Sequence, residues 1–139
     1  MELGGDIRVI GPRTGGRPWR FGIAHPRRPG ELLAEVDLVE GGLATSGDYE
    51  RYFDFEGRRY CHLLDARTGE SVSHWQSVSV VAPSCAAAGA VATMAALAAS
   101  AGGEVLAGQG VDYLAVDAQG VSVAKGGWQL RPNIPDRLG

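Results

Sequence analysis

The sequence predicts an α+β domain with a mostly antiparallel sheet and one main helix packed on a face. Three observations point there. Short apolar runs alternate with polar residues, as half-buried strands do. Twenty-one glycines among 139 residues cluster between those runs, the spacing expected of many turns joining short strands. One longer run, Cys85 to Ser100, is rich in alanine and reads as the main helix. The length fits a single domain over 1–139 with one core.

Taken in order, Ile7 to Ile10 is the first strand candidate, and a Gly/Pro/Arg loop follows it to Pro18. Trp19 to Ile23 alternates and reads as a second strand, stopped by His25-Pro26, where His25 has a structural reading. Ala34 to Val39 alternates again, and Gly41-Gly42 reads as a turn into Leu43 to Ser46. Tyr49 to Phe53 and Arg58 to Leu64 flank Glu56-Gly57, a hairpin tip. His74 and Trp75 read as a surface loop. Gln76 to Ala82 places Val78, Val80 and Ala82 on one face of a strand and Ser77, Ser79 and Val81 on the other. Pro83-Ser84 supplies a helix N-cap. Val91, Met94 and Leu97 recur near helical spacing, and Gly102-Gly103 reads as the stop. A short helix near 104–107 and strands at 113–116 and 121–124 complete the order. The tail 131–139, with Pro132 and Pro135, reads as irregular.

The formal net charge of -3 and the lack of a basic face argue against nucleic-acid binding. Cys61 and Cys85 match no zinc spacing; a single bridge between them stays open, with two reduced, buried thiols as the plainer reading. The alanine run is too short and too weakly apolar to span a bilayer. No signal peptide or lipobox is visible, so the chain carries no address label; it reads as cytoplasmic only as given, and its compartment stays open. Gly4-Gly5-Asp6 lacks a Walker lysine and reads as a tight turn with a capping aspartate.

Four segments occur in a recognisable order: Leu3-Gly4-Gly5-Asp6-Ile7, Ala44 to Arg51, Cys61 to Gly69, and Ser77 to Pro83. With Trp19 to Ile23 and Pro26 also in place, the chain resembles the C-terminal portion of the ApbE family over almost its whole length. That resemblance implies a T-fold-like α+β architecture. It also implies Mg²⁺-dependent transfer of FMN from FAD to a threonine of a target protein, with release of AMP. A threonine hydroxyl attacking a pyrophosphate needs charge compensation and a positioned base, and histidine suits the second role.

The resemblance makes His62 the catalytic candidate. By itself His62 reads as a strand-end histidine with a local hydrogen bond. Leu63 stands at a family position that contacts FAD, and in a strand that contact can run through the backbone. Ser46 and Asp65 are the other cofactor-binding candidates. Ser46, Gly47 and Tyr49 are equally explained by a strand-to-turn junction. Asp65 and Gly69 frame a turn, in which Asp bonds its own backbone and Gly adopts positive φ. Ala66 stands where the family usually has proline.

Two departures bear on activity. Family members carry an Asp and, four residues on, a Thr on one helix face, and the pair ligates magnesium. Here Thr93 is retained, but the aspartate position is Gly89. Magnesium relies on carboxylates, and glycine costs about 1 kcal/mol of helix propensity relative to alanine. The family's N-terminal half, with an Asp-x-Gly-Ala-x-x-Lys-Gly pattern that holds FAD, has no counterpart here. Three expectations follow: a transferase portion incompetent alone, a non-catalytic flavin- or nucleotide-binding module, or a ligand-free interaction domain. The partners implied are a target threonine and a complementing N-terminal half, or self-association through apolar surface left uncovered.

Overall fold

The computed structural model describes residues 2–3, 6–47, 52–55, 58–61, 74–132 and 134–135, with backbone alone at 2–3, 52–55 and 58–61. The strands are β1 (Glu2–Leu3), β2 (Asp6–Val9), β3 (Trp19–Ala24), β4 (Leu32–Leu38), β5 (Gly41–Gly47), β6 (Tyr52–Phe55) and β7 (Arg58–Cys61). They continue as β8 (Trp75–Ala82), β9 (Asp112–Asp117), β10 (Ser122–Lys125) and β11 (Gln129–Leu130). Helices α1 (Cys85–Leu97) and α2 (Gly102–Gly108) lie between β8 and β9.

Every described pairing is antiparallel, as the alternation predicts. The strands form three sheets rather than one. The main sheet has the order β1-β2-β5-β8-β9-β10, a second has β11-β4-β3, and β6 and β7 form a separate hairpin. The main sheet is the middle layer of the packed structure. On one face Ala44, Val78, Val80 and Ala115 pack under Ala88, Ala92 and Ala95 of α1 and Leu106 of α2. On the other face Leu43, Leu114 and Val116 pack against Leu33, Val36 and Leu38 of the second sheet. Successive side chains of a strand point to opposite faces, so Leu43 and Ala44 serve different layers.

Helix α1 starts where the sequence places its cap. The Ser84 hydroxyl accepts from the Ala87 N–H at 3.1 Å, satisfying a donor that the first turn leaves free. The buried face is Ala88, Val91, Ala92, Ala95 and Ala96. Met94, expected on the apolar stripe, is 46% exposed. Small side chains let the helix settle close to the sheet, and glycine makes the closest approach possible. A Cβ on Gly42 would collide with the backbone of Ser84 and Cys85. Gly41 and Gly42 are therefore strand residues beneath the helix start, not the turn the sequence suggested.

The helix also ends earlier than expected. Regular structure stops at Leu97, and Ala99 takes a left-handed φ of 51°. A single 3₁₀ turn over Ala99–Ala101 then leads into α2. Gly102 opens that second helix instead of closing the first, because a side chain there would strike the Ala95 carbonyl and the Trp75 ring. Trp75 corrects a further expectation. It is buried, opens β8, and donates its indole N–H to the Ala99 carbonyl at 2.7 Å.

The C-terminal segment is held down where it is described. Strand β11 pairs with β4, the Arg131 N–H donates to the Leu33 carbonyl at 3.1 Å, and the Ser122 N–H donates to the Pro135 carbonyl at 2.8 Å. Residues 131, 132, 134 and 135 have no repeating structure, and backbone bonds tie them to both sheets.

Candidate functional site

Strand β5 and helix α1 run side by side and together build the candidate site. Ala44 and Ser46 lie on the helix-facing side of β5, two residues apart. Gly89 and Thr93 are four apart and so share one face of α1. The Ser46 and Thr93 hydroxyls are 3.1 Å apart, within hydrogen-bond distance, with either able to donate. At the other end of this seam, an ideal Cβ on Gly89 would lie 3.9 Å from the Ala44 Cβ.

Strand β2 contributes the third group. Ile7 pairs with Leu43, which sets Asp6 beside Ala44 on the same face of the sheet. The Asp6 carboxylate oxygen Oδ2 lies 3.8 Å from the position of that Gly89 Cβ. Asp6 is half-buried, and no hydrogen bond or ion pair engages its side chain among the described residues. Its position in β2 corrects the reading of Asp6 as a turn cap. The Cys85 thiol next to it donates to the Ile7 carbonyl at 2.9 Å. Cys85 is half-buried rather than buried.

The face thus presents one carboxylate and two hydroxyls. Among the described residues no group of three or more His, Cys, Asp or Glu could hold a metal. Magnesium does not require such a group: it takes hard oxygen donors, keeps several waters and is held through one or two carboxylates. A single free carboxylate on a face with two hydroxyls fits that chemistry, and it does not fit zinc, which favours nitrogen and sulfur ligands.

Of the residues singled out in the sequence, Ser46 and Thr93 are brought together. His62, Leu63 and Asp65, with Tyr49, Ala66 and Gly69, lie outside the described residues. Strand β7 ends at Cys61, one residue before His62. Among the described residues, hollows occur elsewhere. One of 570 Å³ is lined by Arg8, Glu40, Pro83 and Asp112 among others, and one of 380 Å³ by Ile7, Ile10, Trp19 and Phe21 among others. Neither includes Ser46 or Thr93. Sequence reasoning missed Asp6 as a member of the site. The signal lay in register: its neighbour Ile7 pairs with β5, so alternation turns Asp6 toward the helix. No helix among the described residues is long and apolar enough to cross a membrane.

Comparison with known proteins gives one answer at each level. The model of the ApbE family matches residues 1–128. An FAD:protein FMN transferase of Haemophilus influenzae is 38% identical over 96 residues, which is 67% of this chain and 28% of that protein. The FAD:protein FMN transferase of Chlamydia pneumoniae is 42% identical over 98 residues, 68% of this chain and 29% of that protein. The crystal structure of the ApbE protein from Thermotoga maritima superposes with a TM-score of 0.80 at 36% identity, covering 89% of this chain and 41% of that one. The apo flavinyl transferase ApbE of Pseudomonas stutzeri gives a TM-score of 0.72 at 30% identity, covering 88% and 39%. The chain therefore spans less than half the length of each of these relatives. With motif order, three-layer fold and family match in agreement, the chain belongs to the ApbE family.

Proposed function

We propose that this chain is the portion of an FAD:protein FMN transferase that carries the base and the hydroxyl-lined side of the active site. The observation that carries the reading is the Ser46–Thr93 contact. Two hydroxyls 3.1 Å apart, from motif segments 47 residues apart in sequence, meet on one face. In this reading a target threonine oxygen attacks the FMN-side phosphorus of FAD. The bond from that phosphorus to the AMP-side bridging oxygen breaks, AMP leaves, and His62 accepts the threonine proton. Leu63, Ser46 and Asp65 hold the flavin nucleotide, with Leu63 acting through its backbone. Thr93 faces the cation position, and bound magnesium would offset charge on the phosphoryl oxygens. The relatives are more than twice as long, so the reading includes a complementing N-terminal segment, without which turnover is negligible.

The test has two stages. FAD is titrated into the purified chain by fluorescence quenching, with Mg²⁺ and with chelator. AMP release and flavin attachment to a target threonine are then assayed, with and without the N-terminal half of a relative. Saturable binding, turnover only in the complemented mixture, and a loss of about 10² to 10⁴-fold in His62→Ala are expected. Turnover that survives His62→Ala removes the base assignment. The glycine at position 89 favours a second reading, a flavin- or nucleotide-binding module without catalysis. Saturable FAD binding indifferent to Mg²⁺, with no AMP under either condition, would establish it.

A further inference from the structure

We propose that Asp6 supplies the carboxylate that α1 lacks at position 89, so that this chain retains a divalent-cation site whose charge comes from β2 rather than from the helix. The proposal rests on reading this face as the cation side of the transferase. It goes beyond that reading by assigning the ligand.

The geometry carries it. Thr93 looks onto the sheet beside Ser46. One turn earlier on the same face, Gly89 leaves the helix surface bare, and the atoms an added Cβ would meet are the Ala44 methyl and Asp6 Oδ2. Asp6 therefore reaches the spot from which a helix carboxylate would project. Its oxygen lies 3.8 Å from that Cβ position. No hydrogen bond or ion pair occupies the Asp6 side chain among the described residues. A half-buried carboxylate without a partner binds a hard cation at less expense than one already engaged, because no existing bond must break. An aspartate at 89 would set two carboxylates face to face, a pair that a cation between them would hold together.

The experiment uses Mn²⁺ as the probe, because it shares the oxygen preference of Mg²⁺ and its free fraction is read directly by electron paramagnetic resonance. The chain is titrated without nucleotide. Saturable 1:1 binding is expected, weakened at least about tenfold in Asp6→Asn and also weakened in Thr93→Val. Adding Gly89→Asp to Asp6→Asn should restore affinity by returning the charge to the helix. Thermal melts of each variant identify any that fail to fold, and Thr93→Val preserves side-chain volume should Asp6→Asn be one of them. Unchanged affinity in Asp6→Asn overturns the assignment, as does absence of binding by the unmodified chain. A chain that binds Mn²⁺ through Asp6 yet neither binds FAD nor turns it over in the complemented mixture would leave this inference standing and sink the transferase reading alone.

Discussion

At the scale of single residues, two glycines of the same seam have opposite meanings. Gly42 lies beneath the first residues of α1, where any Cβ overlaps the backbone of Ser84 and Cys85. Backbone cannot rotate aside as a side chain can, so Gly42→Ala must lift the helix start from the sheet. Overpacking of this kind costs about 1–3 kcal/mol. A Cβ at Gly89 meets only ordinary contacts of 3.8 and 3.9 Å, and Gly89→Ala should gain up to about 1 kcal/mol from helix propensity. Urea unfolding of the two variants, compared by midpoint at constant slope, checks the pair. A Gly42→Ala chain as stable as the parent would show that α1 is not seated as described. Composition reveals neither difference, because both glycines look alike until the strand and helix are brought together.

At the scale of elements, the beginning of α1 was legible and its end was not. Pro83-Ser84 carries a side-chain signal for a cap, and the cap forms. At the far end the chain runs through Leu97, Ala98, Ala99 and Ser100 with no such signal. What stops it is tertiary: the Ala99 carbonyl turns to receive the Trp75 indole at 2.7 Å. Trp75→Phe removes that donor and also leaves unfilled part of the buried space that the larger indole occupies. A stability loss of about 1–3 kcal/mol is expected, measured by denaturant titration, with the far-ultraviolet helix signal largely retained. The apolar stripe holds at Val91, which is buried with the alanines, and fails at Met94, which is exposed. The sheet selects the alanine side because only small residues allow close approach. Alternation gave the strands more reliably, since burial on one face of a strand leaves a period of two whatever lies above it. The Ser46–Thr93 meeting was legible in part. The motifs named both residues, but their contact depends on the register of β5 against α1.

At the scale of the whole molecule, charge is arranged across the second sheet and its turns. Arg20 donates to both oxygens of Asp37 at 2.8 and 3.1 Å, and Glu35 accepts from Arg131 at 2.6 Å. The hydrogen bond from Arg20 holds the Asp37 carboxyl below its ordinary 3.8. This contribution is present above that value and fades as pH falls through the lower folded-state value. His25, in the connection from β3 to β4, acts in the same direction at higher pH. Burial and then the nearby Arg28 charge lower its pKa from 6.5, and Nδ1 already accepts the Arg27 N–H at 3.0 Å. The native state therefore takes up this proton less readily than the unfolded chain. Stability should fall as pH drops below 6.5 and level off below the folded-state value. His25→Gln should flatten that slope, read from unfolding free energies between about pH 5 and 7. An unchanged slope would assign the effect to another group.

The connection from β5 to β8 has a consequence of its own. Gly47 and Ser77 are partners in the ladder, so the excursion carrying β6, β7 and His62 leaves and rejoins the main sheet at a single rung. Its two ends are fixed by hydrogen bonds that do not depend on what lies between them. Doubling the length of such a closed excursion adds only about 0.6 kcal/mol of entropy cost. The segment bearing the motif histidine can therefore be lengthened, shortened or exchanged while the scaffold persists, which makes this rung a natural place to graft a different specificity onto the same domain.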